Sequence, residues 1–275
     1  MTGVPFIKMH GLGNDFVVLD ARAGAVALDA AWVRAVADRR TGVGCDQLIV
    51  IEPAEGADAR MTIHNADGGV AEACGNGSRC VAALLMAENG RDRVTLETDA
   101  GTVTCSAAGD GRVAVDMGAA LTDWRDIPLA READTLNLDL GVAGLGEAVA
   151  VNTGVPHIVF FVDAAEAVDV AGIGSRLEHH EMFPERANIS FAQVLAPDRI
   201  RMRVWERGAG ITCACGTGAC AVLVAAARRG LARREAEVVL DGGVLAIAWR
   251  DDGHVVMTGP AAESFRGTLA NGLAR

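Results

Sequence analysis

The chain has no tyrosine, and Lys8 is the only lysine among its 275 residues. Schiff-base chemistry with pyridoxal phosphate would have to use that one residue, in an apolar, strand-like stretch near the start, so no such cofactor is expected. Acid–base work then falls to Cys, His, Asp or Glu. Long apolar runs are missing too; the longest, around 219–227, suits a buried helix rather than a membrane span. The opening MTGVPFIKMH carries no basic region followed by an apolar signal core, so a cytoplasmic protein is expected. Positive charge is scarce: 25 Lys and Arg against 36 Asp and Glu leave a net charge of −11, which argues against nucleic-acid and anionic-membrane partners. Seven cysteines are an odd number in a chain far larger than a small secreted scaffold, so free thiols are expected instead of a disulfide framework. With 51% hydrophobic residues the chain has ample material for a core, in one large or two medium domains.

What the chain does contain is organised around two short turns, Ala73 to Gly77 (ACGNG) and Ala214 to Gly218 (ACGTG). Each runs into an almost wholly apolar segment that reads as a helix. A glycine turn opening a helix offers free backbone N–H groups and the positive end of the helix dipole, an environment that suits a thiolate or a bound carboxylate. Cysteine in an apolar chain is more often a small buried hydrophobe, and that reading is kept for Cys45, Cys80, Cys105 and Cys220. It fits Cys74 and Cys215 poorly, because glycine follows each and polar residues surround them. Two such thiols flanking one tetrahedral carbon would remove hydrogen from one face and return it to the other, as a cofactor-free racemase or epimerase does.

Cys215 follows Cys74 by 141 residues, and other landmarks respect that offset. Gln47 falls on Asn188, Asn65 on Glu206, Gly13-Asn14 on Gly154-Val155, Gly101 on Gly242 and Gly118 on Gly259. The common offset predicts two homologous halves, 1–118 and 119–259, with the tail 260–275 returning to the first. Each half opens with strands (Phe16 to Leu19 and Leu48 to Ile51; Ile158 to Val162 and Ile189 to Val194), passes through a polar loop and the cysteine turn, and ends in further strands. A helix apolar on every face must be surrounded. The expected fold class is therefore α+β: two pseudo-symmetric halves, each a curled mixed β-sheet around a central apolar helix. Ala30 to Arg39 reads as an amphipathic helix outside the first sheet, Phe265 to Leu269 as a strand, and Ala119 to Ala130 as the linker.

Other polar residues carry weaker signals. Asn14, Asn65, Asn76 and Asn188 sit in loops where asparagine is ordinary turn chemistry, but they cluster at the repeat landmarks. Glu206-Arg207-Gly208 offers an arginine that can fork onto a second carboxylate, or a plain surface ion pair. His157 is a structural histidine or a tuner of a nearby thiol. His179-His180-Glu181 reads as a solvated helix face. Zinc would call for paired CxxC or spaced histidines; Cys213-Ala-Cys215 alone does not supply them, and no metal is expected. A cysteine hydrolase or transferase stays open at this level, as does a non-enzymatic amino-acid-binding protein; neither explains the duplicated turn.

In combination, Lys8-Met-His-Gly-Leu-Gly-Asn14-Asp-Phe, Gly42-Val-Gly-Cys-Asp-Gln47, Asn65-Ala-Asp-Gly, Cys74-Gly-Asn-Gly-Ser-Arg79, Pro156-His157, Arg186-Ala-Asn188 and Trp205-Glu206-Arg207-Gly-Ala-Gly resemble the diaminopimelate epimerases over nearly the whole chain. The resemblance implies interconversion of LL- and meso-2,6-diaminopimelate in bacterial lysine and cell-wall synthesis, without a cofactor, by a homodimer. It implies Cys74 and Cys215 as the acid/base pair and His157 and Glu206 as modulators of the sulfur pKa values. Asn14, Gln47, Asn65, Asn188, Glu206, Arg207 and the backbone N–H groups at Gly75-Asn76 and Gly216-Thr217 would line the substrate. Three positions depart from the family pattern. Val155 replaces the asparagine of Asn-Pro-His, with Asn152 the nearest amide to take its place; Gly69 stands where a serine often follows Asp-Gly; and the tail lacks the tyrosine that packs the dimer in some members.

Overall fold

The structure is a computed structural model, described here for residues 3–270. The chain divides into two compact units, 1–115 with 259–275, and 116–258.

The first unit begins with β1 (Val4–Gly11) and β2 (Asn14–Asp20), an antiparallel hairpin. Its two-residue turn, Leu12-Gly13, has positive φ at both positions (57° and 84°), the tight hairpin geometry that follows the natural strand twist and sets Asn14 at the first position of β2. Helix α1 (Ala30–Ala37), capped by the Asp29 carboxylate on the Trp32 N–H, leads to β3 (Gln47–Glu52), which lies parallel to β2. Next come β4 (Ala59–Asn65), β5 (Val70–Ala71), α2 (Gly75–Asn89), β6 (Arg93–Thr98), β7 (Gly101–Ala107) and β8 (Arg112–Ala119). The sheet is mixed: β4 pairs antiparallel with β3 and parallel with β6, then β6 and β7 pair antiparallel.

The second unit repeats this order with β9 (Val149–Asn152), β10 (Pro156–Phe161), α3 (Val170–Leu177), β11 (Asn188–Ala196), β12 (Arg199–Glu206), β13 (Gly210–Ile211), α4 (Gly216–Arg228), β14 (Glu235–Leu240), β15 (Gly243–Trp249) and β16 (His254–Pro260). The last strand, β17 (Ala262–Leu269), pairs antiparallel with β1. Register confirms the duplication at residue level: Phe16 opposes Gln47 on β2 and β3, as His157 opposes Asn188 on β10 and β11. The offset changes after the helices. Gly101 starts β7 as Gly243, not Gly242, starts β15, because the chain between Gly230 and β14 is longer than that between Gly90 and β6.

The first sheet is covered on both faces at β2 and β3, which explains the unbroken apolar runs of those two strands. Val17 and Leu19 of β2 with Leu48 and Val50 of β3 pack on Val33 and Val36 of α1, while Ile49 points the other way, toward Gly77 of α2. In the second unit α4 is buried from Gly216 to Ala226 apart from Thr217, packed among β9 to β12, β14 and β15. Helix α2 is buried only over its first three turns; Ala87 to Asn89 are exposed.

Two sequence expectations are corrected. Residues 119–130 do not form a free linker: Ile127 and Leu129 are buried in the core of the second unit with Phe160 and Phe191. His179-His180 lies beyond the end of α3 in a turn, where the His180 ring packs on Phe183.

The lone lysine has a structural task. Lys8 is buried, and its Nζ donates to Asp15 Oδ2 at 2.5 Å and to the Gly44 carbonyl. Burial works against the Asp15 charge, but hydrogen bonds from Arg39 and Lys8 outweigh it and lower the carboxyl from 3.8 to about 2. A depressed carboxyl contributes stability above its unfolded pKa and loses it as pH falls through the folded one. Asp15→Asn should therefore lower the unfolding free energy by about 2 kcal/mol at neutral pH, with the gap from wild type closing between about pH 4 and pH 2. Urea titrations across that range check it.

Candidate active site

Cys74 is the N-cap of α2 and Cys215 the N-cap of α4, so the duplicated turns place both sulfurs where helix N–H groups lack intrahelical partners. The second glycine of each motif lies in close contact with a neighbouring strand and with the sulfur. A Cβ on Gly77 would fall 2.7 Å from Ile49 Cδ1 and 3.5 Å from Cys74 Sγ; on Gly218 it would fall 2.6 Å from Met202 Cε and 3.2 Å from Cys215 Sγ. A side chain there would displace the tip of Ile49 or Met202 and crowd the sulfur beside it.

In the first unit, Cys74 Sγ accepts from the Gly77 N–H at 3.3 Å and lies 3.9 Å from Asn14 Oδ1. Asn76 Nδ2 donates to the same oxygen at 3.1 Å. Gln47 and Asn65 oppose each other across β3 and β4, joined by Gln47 Nε2 to Asn65 Oδ1 at 2.9 Å. All five sequence-predicted side chains of this unit therefore fall into two bonded groups.

In the second unit the groups form one chain. Asn188 Oδ1 accepts from the Arg207 backbone N–H at 2.6 Å, so its Nδ2 faces His157 Nε2 at 3.3 Å. That nitrogen then carries a lone pair, which also accepts from the Thr217 hydroxyl at 3.0 Å. The hydroxyl oxygen is left to face Cys215 Sγ at 3.6 Å. His157 is wholly buried, and desolvation, with the Arg207 charge adding to it, lowers its pKa to about 3. It acts as a neutral acceptor, not as the cation of a thiolate–imidazolium pair. Cys215 is also buried; desolvation first and the Glu206 carboxylate second push its thiol well above the usual range. Glu206 itself is held by the Thr212 hydroxyl.

Asn152 does not stand in for the missing asparagine at Val155. Its Nδ2 donates to the Asp126 carbonyl at 2.8 Å and its Oδ1 accepts from the Gly154 N–H at 3.0 Å, so both ends of the amide hold the turn.

Sequence reasoning missed Glu178, just past α3. Buried at 4% exposure, it accepts from Trp205 Nε1 at 2.7 Å and from the Gly208 N–H at 3.1 Å, bracketing Glu206-Arg207 from both sides. Burial opposes its charge, yet these donors outweigh it and the carboxyl stays below the ordinary range. Helix α3 reaches the loop only because Gly174 has no side chain: a Cβ there would fall 2.4 Å from Trp205 Cβ. The one sequence signal was the pair of glycines in Gly172-Ile-Gly174.

A family model described as diaminopimelate epimerase matches residues 6–122 and 149–263. The chain belongs to the diaminopimelate epimerase family. The diaminopimelate epimerase of Rhodospirillum centenum is 58% identical over 98% of this chain and 93% of its own, and that of Acidiphilium cryptum is 57% identical over 96% of each. Solved structures share the fold at low identity. A hydroxyproline epimerase from Agrobacterium vitis with bound trans-4-hydroxy-L-proline gives a TM-score of 0.67 at 17% identity, covering 100% of this chain and 96% of that one. A PhzF-family phenazine biosynthesis protein from Bacillus anthracis gives 0.69 at 16% identity, covering 98% and 100%. No helix among the described residues is long and apolar enough to cross a membrane.

Glu178→Ala would remove the charged acceptor of both the half-buried Trp205 indole N–H and the Gly208 N–H of the exposed loop. Unfolding titrations should register a loss of about 2 kcal/mol. Steady-state assays should show KM raised more than kcat is lowered, since the Glu206-Arg207 loop is loosened while both sulfurs stay in place.

Proposed function

We propose that this chain interconverts LL- and meso-diaminopimelate without a cofactor, with Cys74 and Cys215 as the acid/base pair at one α-carbon. The observation that carries the reading is the placement of both cysteines as N-caps of buried helices. Family membership supports the substrate.

The α-hydrogen beside an ammonium and a carboxylate is a far weaker acid than a thiol, so most of the barrier is the negative charge that develops when it leaves. That charge spreads into the substrate carboxylate. The backbone N–H groups at Gly75-Asn76 and Gly216-Thr217, with two helix dipoles behind them, are preorganised to receive it. One sulfur takes the hydrogen as a proton while the other gives its proton to the opposite face. The configuration inverts, and the enzyme is left with its proton on the opposite sulfur. In the state described, Cys215 is the proton donor: burial and Glu206 favour its thiol, and the Thr217 hydroxyl oxygen accepts from it. Cys74 then acts as the base in that direction. Glu206 offers its carboxylate to a substrate ammonium, and Arg207 its guanidinium to a substrate carboxylate. Asn14, Gln47, Asn65 and Asn188 complete the polar lining.

On this reading the enzyme works in the cytoplasm, as a homodimer, in lysine and peptidoglycan-precursor synthesis.

The test is incubation of LL-diaminopimelate with the protein in D2O. Deuterium should enter the α-carbon as the optical signal decays. Cys74→Ala and Cys215→Ala should each reduce net epimerisation by about a thousandfold or more, the scale of a lost acid or base. Ordinary turnover by either variant, or turnover without deuterium uptake, would overturn the proposal.

A further inference from the structure

The motif Gly42 to Gln47 contains one charged residue with no part in the chemistry above, Asp46. It sits beside the first-unit cysteine site in a network of fixed bonds. Asp46 Oδ2 accepts from the Asp15 backbone N–H at 3.1 Å and from Asn14 Nδ2 at 3.0 Å. Its Oδ1 accepts from Arg39 Nη2 at 2.7 Å. Arg39 also grips Asp15, Nη1 to Oδ2 at 3.0 Å and Nη2 to Oδ1 at 2.7 Å. The Asp46 N–H closes the circuit by donating to Asp15 Oδ1 at 3.0 Å. Lys8 supports Asp15 from the buried side.

An ionised carboxylate can only accept hydrogen bonds. The nitrogen of the Asn14 amide must therefore turn to Asp46, and its oxygen must turn the other way. That oxygen is the one facing Cys74 Sγ at 3.9 Å, and Asn76 Nδ2 donates to it from the far side. The amide is thus read from two directions, by an acceptor behind its nitrogen and a donor in front of its oxygen.

We propose that Asp46, held by Arg39, is a positioning residue that keeps the carbonyl face of the Asn14 amide toward Cys74. The inference rests on Cys74 acting as an acid/base. A carbonyl oxygen accepts from a thiol and repels a thiolate, whereas an amide N–H would stabilise the thiolate. The helix terminus and the Gly77 N–H already favour the anion. A second donor would make Cys74 too weak a base for a carbon acid, and the fixed carbonyl prevents this. The Cys215 neighbour is a hydroxyl whose proton goes to His157 Nε2, so it too turns an acceptor oxygen toward its sulfur.

The experiment reads the pH dependence of iodoacetamide alkylation at Cys74 in substrate-free protein, located by peptide mass spectrometry. The charged and titratable groups around the site are Asp46 and Arg39 behind Asn14, Asp15 and Lys8 beyond them, and Arg79 and Cys80 on α2. Burial pushes the Cys80 thiol up to about 12, outside the working range. Every group except Asp46 is common to wild type and the variants. In Asp46→Ala the amide is released, its N–H reaches the thiolate, and the alkylation midpoint should fall by about one pH unit. Asp46→Asn also removes the charge but keeps an acceptor oxygen where the Asp15 N–H and Asn14 Nδ2 require one. Its midpoint should stay near that of wild type, and kcat, lowered about tenfold in Asp46→Ala, should recover. Should Asp46→Ala not fold, Asp46→Ser replaces it with the same expectation, since a hydroxyl imposes no orientation on the amide. Equal downward shifts in the Asn variant and in Ala or Ser would reduce Asp46 to a bare charge and overturn the proposal, as would no shift in any. Because alkylation needs no substrate, failure here is distinct from failure of the epimerase reading, which wild-type deuterium uptake decides alone.

Discussion

A thiol at the first turn of a buried helix is the constraint from which the rest follows. On the proposed reading the N–H groups of each helix terminus serve both a sulfur and a substrate carboxylate, and Gly77 and Gly218 let the tips of Ile49 and Met202 and the adjacent sulfur pack close to that terminus. A terminus that close to a sheet has to be enclosed, and the apolar sequences of α2 and α4 follow from that. Each unit is then a mixed sheet arranged to cover one helix. The parallel pairs β2–β3 and β10–β11 bring the polar residues at their starts, Gln47 and Asn188, to equivalent places.

The duplicated scaffolds do not make identical surroundings for their sulfurs, and the difference is chemical. Cys74 is partly open, accepts from a helix N–H and faces an amide oxygen. Cys215 is buried, lies under the influence of a carboxylate and faces a hydroxyl. The neutral, buried His157 fixes that hydroxyl rather than ionising the thiol. The two-base reaction proposed above needs one partner protonated when the other is not, and this asymmetry supports that proposal.

Much of this was legible in the sequence because it is local or repeated. The cysteine turns announce helix starts, and the shared offset ties Gln47 to Asn188 and Asn65 to Glu206 without any structure. The resemblance supplied the side chains proposed to line each half. What stayed hidden depends on residues distant in the chain. Glu178 follows a short helix with two internal glycines, and its meaning appears only when Trp205 and Gly208 arrive from another strand and loop. The Lys8–Asp15–Arg39–Asp46 network joins a strand, a helix end and a loop, so nothing in the spacing of those residues foretold it. Residues 119–130 read as a linker because Asp123-Trp-Arg-Asp126 and Pro128 stand out, yet Ile127 and Leu129 on either side of that proline carry the packing.

On the proposed reading, Cys74 and Cys215 act on a single carbon. Two sulfurs that flank one carbon are held apart by little more than that carbon, so with no substrate between them they should be able to close into a disulfide. Mild oxidation with diamide, followed by peptide mass spectrometry and activity assay, tests this most directly. A Cys74–Cys215 disulfide should accumulate in step with inactivation and be reversed together with it by added thiol. Inactivation with both cysteines intact, or with each oxidised separately and never joined, would contradict it.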